Sequence, residues 1–485
     1  MKMKRCSGVL LPISALPSRF GVGDFGLSAY RFASLLKEGG FSLWQILPLN
    51  PLGYGHSPYQ PFSSYAFDEI YIDLDALEYD IPSFNEHSPK VDYEAVREYK
   101  TIYLKKIYHS LREKNQIDVS SFIKRHKWVR DWAIFMVNKK KNDLKCWNEW
   151  KEEDKESLSH KRKFFLDNKE ECLYEIWLQQ VLYSQWDRLH KHLRSLGIKV
   201  IGDLPFYVGY DSCDVYANQD KFLLNKKSKE PSFIAGVPPD YFSKTGQRWG
   251  NPIYNFKEIK KESYSFIIDR VFHSAKIYDI VRLDHFRAFD TYWKIKASCP
   301  TAEDGKWVLG PGYKLFNTLK KKYPRINIIA EDLGELRPEV YKLRDFYSFP
   351  GMNVVEFTFV DEEVEHKSKI DKENMVAYLG THDNDPFLSF FDKLSDYDKY
   401  RWSEAIKNKG IEFISPNDAF LHYLFSLKAS YAIICMQDIL GLGEESRLNT
   451  PGLINASNWA WRMASFSPFE EKIKYCNELN KRYQR

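Results

Sequence analysis

The sequence predicts an α/β protein built on a (β/α)8 TIM barrel, and three observations lead there. Eight short apolar runs recur along the chain, helix-period segments separate most of them, and polar residues gather at their downstream ends. The runs are GVLLP (8–12), LWQILPL (43–49), IKVIGDLPF (198–206), DIVRLDHF (279–286), INIIAEDL (326–333), NVVEFTFV (353–360), MVAYLGTHD (375–383) and SYAIICMQDIL (430–440). Each is rich in Val, Ile, Leu or aromatics without polar alternation, as strands covered on both faces require. Between them, stretches such as SAYRFASLLKEGG (28–40) and YSFIIDRVFHSAKIY (264–278) repeat apolar residues at helical spacing. Strand–helix alternation carried through eight times points to a barrel.

The spacing of the runs sets the domain organisation. Residues 50–197 separate the second and third runs, far more than the roughly 2–6 residues of an ordinary αβ loop. The expectation is one catalytic barrel over 1–485, with a helical subdomain inserted at roughly 80–170. A smaller insertion, roughly 208–262, is rich in Gly, Pro and aromatics.

Composition excludes several classes. The net charge of +5 comes from 71 basic and 66 acidic residues, too balanced for a nucleic-acid surface, and the Lys-rich stretch 138–165 interleaves Glu and Asp as a solvated helical face does. No run of about 18 apolar residues exists to span a membrane. Seven scattered cysteines without a CxxC pair argue against a disulfide framework or structural zinc and fit a reducing, cytoplasmic location. Gly21-Val-Gly23-Asp-Phe-Gly26 matches GxGxxG but follows a Pro-containing loop, with no acidic residue closing a second strand at the required distance, so no dinucleotide site is expected.

Barrel chemistry sits at the C-terminal strand ends. There the sequence places Asp203, then Arg282, Asp284 and His285, then Glu331 and Asp332, then Thr381-His382-Asp383-Asn384-Asp385, then Gln437 and Asp438. Two carboxylates in different environments are what glycosidic cleavage needs, one ionised and one protonated. Arg282 lies two residues before Asp284 and so on the same face, favouring its carboxylate form, while an acid on the neighbouring strand would resist ionising. Residue parity leaves Glu331 and Asp332 tied for that second role. No HxH, HExxH or EF-hand pattern accompanies His285 and His382, so no metal is expected. Aromatics make up 16% of the chain. Tyr54, Tyr59, Tyr241, Phe242 and Trp249 fall in Gly/Pro-rich loops, where rings suit sugar faces.

The ordered set of motifs resembles glycoside hydrolase family 77, the amylomaltase or 4-α-glucanotransferase family. It comprises GVLLPISALPSRFGVGDFG, WQILPLNPLGYGHSPYQPFSS, GDLPFYVGYDSCDVYAN, GVPPDYFSKTGQRWGNPIY, VRLDHFRAF, AEDLGE, FPGMNVVEF, GTHDNDP, DILGLGEESRLNTPG and NWAWR. The resemblance implies a barrel without a C-terminal β-sandwich and retaining transfer of α-1,4-glucan segments between malto-oligosaccharides, with glucose among the acceptors. It implies Asp284 as nucleophile, Glu331 as acid/base and Asp383 as transition-state stabiliser. Tyr59, Asp203, Arg282, His285 and His382 become sugar-binding residues. Asp240, Tyr241, Phe242, Gln247 and Trp249 become an acceptor-side lid. No cofactor or metal, no nucleic-acid or membrane partner, and a monomer or weak homo-oligomer are expected. The chain departs from the family pattern at His56, at Arg248 and through 361–374, which puts sugar contacts from that segment in doubt. Water in place of the acceptor would give hydrolysis by the same residues, so an amylase-type hydrolase is the rival reading.

Overall fold

The computed structural model describes residues 4–239, 243–358, 371–412 and 415–485. Among them the strands are, in chain order, β1 (Cys6–Leu10), β2 (Leu43–Gln45), β3 (Lys199–Leu204), β4 (Phe233–Val237), β5 (Gln247–Pro252), β6 (Ile280–Leu283), β7 (Thr291–Lys296), β8 (Gly305–Leu309), β9 (Ile328–Ala330), β10 (Gly351–Val354), β11 (Met375–Tyr378) and β12 (Tyr431–Cys435). Eight of these form one all-parallel sheet in the order β10-β11-β12-β1-β2-β3-β6-β9. Its ends meet. The Ala330 N–H donates to the Pro350 carbonyl at 2.9 Å, and the Met352 N–H donates to Asp332 Oδ1 at 2.7 Å. The sheet therefore curls into an eight-stranded barrel whose two end strands are brought together by these bonds.

All eight predicted runs supply barrel strands, with one displaced. The run at 353–360 was expected to be extended, but β10 begins at Gly351 and stops at Val354, and Val355–Thr358 is a 3-10 turn. Val355 stays 1% exposed, so burial continues where extension ends, and an apolar run by itself does not separate the two. In β3, Gly202 lies under the Tyr278 ring, which a Cβ would meet at 2.1 Å. A glycine inside a strand marks this kind of close approach.

Between β2 and β3 run the helices Tyr93–Glu113, Val129–Lys141 and Lys169–Ser195, the last leading back into the barrel. The remaining strands form a separate antiparallel sheet, β5-β4-β7-β8, which carries Gln247 and Trp249 on β5.

One buried cation secures the loop that follows Asp203. Arg270, on the helix Ser265–Ile277, is 2% exposed. Its guanidinium donates to the carbonyls of Pro205, Phe206 and Tyr207, to Tyr254 Oη and to Ser64 Oγ at 2.8–3.3 Å. Arg270→Met would remove the donor from these buried acceptors, of which the Phe206 carbonyl keeps only its bond from Tyr254 Oη. It is expected to cost about 3 kcal/mol or more of stability, read as a lowered thermal midpoint together with reduced activity.

Candidate active site

The ends of β3, β6, β9 and β11 each bring an acid to the barrel mouth: Asp203, Asp284, Glu331 and Asp383. The ladder runs one residue past the strands and fixes two of them. The Asp284 N–H donates to the Leu204 carbonyl and the Glu331 N–H to the Leu283 carbonyl, both at 3.1 Å. Asp203 and Arg282 are register partners across β3 and β6, so their side chains share a face.

Arg282 is the shared cation. Its Nη1 lies 2.6 Å from Asp203 Oδ2 and 3.1 Å from Asp284 Oδ1. Burial works against its charge, but Asp203 and Asp284 outweigh that and hold it well above the usual arginine range. For Asp284 the balance differs from the sequence expectation. Burial pushes its carboxyl up, Arg282 pulls it down, and Asp203, Glu331 and Asp383 push it up again, so it ends well above the ordinary carboxylate range. Burial is the largest cause, and the arginine that opposes it is shared, its shorter contact being with Asp203. Burial likewise raises Glu331, opposed by Arg282 and by two backbone donors. Groups this close titrate as a system.

The tie between Glu331 and Asp332 is broken by direction. Asp332 is buried against the Arg344 guanidinium and the Met352 N–H, which commits it to closing the barrel. Glu331 turns to the mouth, where Oε2 accepts from the His285 N–H at 2.7 Å and Oε1 from the Leu333 N–H at 2.9 Å.

Tyr59 Oη donates to Asp203 Oδ2 at 2.6 Å and lies 2.7 Å from His382 Nε2. The hydroxyl has one proton, given to Asp203, so His382 Nε2 must carry the hydrogen it offers Tyr59. Burial lowers the His382 pKa and keeps that ring neutral, against the pull of Asp383. The two rings stack at 5.4 Å and 12°. Asp383 is the most open of the acids, with 43% of its side chain exposed, and lies 3.3 Å from His382 Nε2. Asn449 Nδ2 donates to its Oδ1 at 2.7 Å.

On the other side, Trp249 Nε1 donates to Gln247 Oε1 at 3.1 Å and its ring meets His285 edge-on at 4.9 Å. Asp203 Oδ1, Arg282 Nε, His285 Nε2 and His382 Nδ1 are buried without a hydrogen-bond partner among the described residues. Four such atoms around one site suit a ligand covered in hydroxyls. Asp240, Tyr241 and Phe242 lie outside the described residues. So does most of 361–374; within its remainder, Asp371 accepts the Lys428 N–H at 2.6 Å. His56 stacks on Tyr93 at 5.1 Å, and Arg248 donates to the Ala297 carbonyl at 3.0 Å. Gln437 and Asp438 serve the scaffold, bonding the Ser446 carbonyl and the Phe387 N–H.

Sequence reasoning gave no role to Asn449 or to Trp459, whose ring lies 5.7 Å from Tyr59 and 6.0 Å from His382. Both follow the last strand, where spacing carries no signal. Their motifs, SRLNTPG and NWAWR, were the available hint.

A family model described as 4-alpha-glucanotransferase, glycoside hydrolase family 77, matches residues 11–467. The chain belongs to glycoside hydrolase family 77. The 4-alpha-glucanotransferase of Aquifex aeolicus is 40% identical, with 98% of each chain covered. That of Thermus thermophilus is 37% identical over 96% of this chain and 95% of its own. The solved amylomaltase of Streptococcus agalactiae in complex with acarbose superposes with a TM-score of 0.94 at 35% identity, covering 99% of this chain and 100% of that one. In this family member Tyr59→Phe removes one hydroxyl from between Asp203 and His382. Initial rates should show kcat/KM lower by about tenfold, as for the loss of a hydrogen bond worth about 1.4 kcal/mol, while the thermal midpoint changes little.

Proposed function

We propose that Asp284, Glu331 and Asp383 carry out the family's 4-α-glucanotransferase reaction as nucleophile, acid/base and transition-state stabiliser. The observation that carries this reading is the pair Asp284 and Glu331 at the ends of adjacent strands, with Arg282 bonded to Asp284 and not to Glu331.

An Asp284 carboxylate oxygen attacks the anomeric carbon of the donor glucan while the bond to the departing O4 breaks. Glu331 gives its proton to that oxygen. The glycosyl group is then an ester of Asp284. Glu331, now a carboxylate, takes the proton from the 4-hydroxyl of an acceptor glucan or glucose. The freed oxygen attacks the same carbon and releases Asp284. Two inversions retain the α configuration. Tyr59, Asp203, Arg282 and His382 orient the sugar being transferred, and Asp383 faces the charge that develops on it. Trp249 and Gln247, with Asp240, Tyr241 and Phe242, receive the acceptor. A lid that keeps water from the ester favours transfer over hydrolysis. The substrates are α-1,4-glucans and malto-oligosaccharides, a reading supported by the acarbose complex of the Streptococcus agalactiae relative. All seven cysteines are free, which supports a cytoplasmic setting. No helix among the described residues is long and apolar enough to cross a membrane.

Incubation with maltotriose should yield glucose and a ladder of longer oligosaccharides; glucose and maltose alone would mean hydrolysis instead. Asp284→Asn should abolish both, and a variant that still turns over would refute the nucleophile assignment. Because burial raises both Asp284 and Glu331, both limbs of the kcat/KM profile should lie above the ordinary carboxylate range of about pH 4. Activity falls at low pH as Asp284 gains a proton, and at high pH as Glu331 loses its own.

A further inference from the structure

His285 follows Asp284 directly and sits in the left-handed region, with φ 51° and ψ 49°. Few residues with a side chain adopt that conformation, which costs roughly 1–2 kcal/mol in an L-residue, although His, Asn and Asp are enriched there. Here it serves two neighbouring N–H groups. His285 donates to Glu331 Oε2 at 2.7 Å, and Phe286 donates to the Glu331 carbonyl at 3.0 Å. The His285 ring is held on two sides, edge-on to Trp249 at 4.9 Å and tilted against Tyr207 at 6.4 Å. Were the residue to leave the left-handed region, the peptide plane carrying its N–H would turn away from Glu331.

We propose that His285 is a positioning residue for Glu331: its left-handed backbone, locked by its ring against Trp249 and Tyr207, keeps its N–H on Oε2 and so sets the direction of the carboxyl. The proposal rests on the reading of Glu331 as the acid. A backbone donor on a carboxylate favours the ionised form, so losing it raises the proton affinity of Glu331. The other charges facing Glu331 stay in place: Arg282 on β6 with Asp284 just beyond it, and Asp332 on its own segment. Asp203 and Asp383 act on it through Asp284. His285 does not titrate in the working range, because burial pushes it down to about 3, with Arg287 adding to the shift. The ring also ties the acid to Trp249, the residue assigned to the acceptor side, so one contact links acceptor binding to proton transfer.

The test compares His285→Gly with His285→Ala. Both remove the ring, but only glycine accepts the left-handed conformation without penalty. The glycine variant should keep the alkaline limb of kcat/KM near that of the parent enzyme. The alanine variant should move it upward by roughly one pH unit, with kcat about tenfold below the glycine variant. If histidine served solely as a sugar contact, the two would behave alike in limb and kcat, and that result overturns the proposal. Should the alanine variant not fold, His285→Asn against His285→Gln repeats the contrast with a polar side chain retained, asparagine being the one that tolerates the conformation. Glu331→Gln separates the two readings. Loss of the alkaline limb in that variant confirms the acid, so that equal Gly and Ala profiles then count against the positioning role alone. A limb that persists in Glu331→Gln removes the acid assignment itself.

Discussion

Four acids crowd the mouth of this barrel around one buried guanidinium, and Arg282 divides its charge between two of them. A contact near 3 Å at an effective dielectric of about 20 is worth about 5 kcal/mol, while each buried ion gives up several kcal/mol of hydration. The cluster therefore comes close to cancelling as a source of stability. What it supplies is two acids in unlike surroundings, Asp284 bonded to the arginine and Glu331 to backbone amides. Asp203 takes the shorter contact, so Arg282 does not neutralise Asp284 completely.

The scaffold supports this arrangement with groups that never reach a sugar. Asp332, adjacent to Glu331, spends its carboxyl on Arg344 and the Met352 N–H and so joins β9 to β10. One dipeptide thus turns one side chain to the barrel seam and the other to the mouth. Arg270 fixes three consecutive carbonyls after Asp203. Tyr378 donates to Gln45 at 2.7 Å inside the barrel, and both residues are buried. A catalytic group is held closely when the residues holding it are themselves fixed.

The site has two sides. Tyr59, His382, Asp383, Asn449 and Trp459 form one wall, joined by hydrogen bonds and ring contacts. Gln247, Trp249 and His285 form the opposite wall, joined to the first where Gln60 donates to the Trp249 carbonyl at 2.7 Å. On that wall the left-handed turn at His285 meets Glu331.

Much of this was legible in the residues alone. Eight unalternated apolar runs imply buried parallel strands, because a strand covered on both faces has no polar side to show. Acids at their downstream ends imply a site at one mouth, since the loops there converge. The motif set then pointed to the family, which the match over 11–467 bears out. Tertiary structure decided what one dimension cannot encode. Parity could not separate Glu331 from Asp332, because both sides of a barrel strand are buried; direction separated them. Spacing put Arg282 beside Asp284 but could not show Asp203 across the ladder taking the shorter contact, since strand register is a long-range property. Asn449 and Trp459 reach the site from beyond the last strand, and a backbone torsion at His285 has no signature in sequence. Local pattern determined where the barrel strands run and which acids follow them. The closing of the barrel determined which of those acids meet.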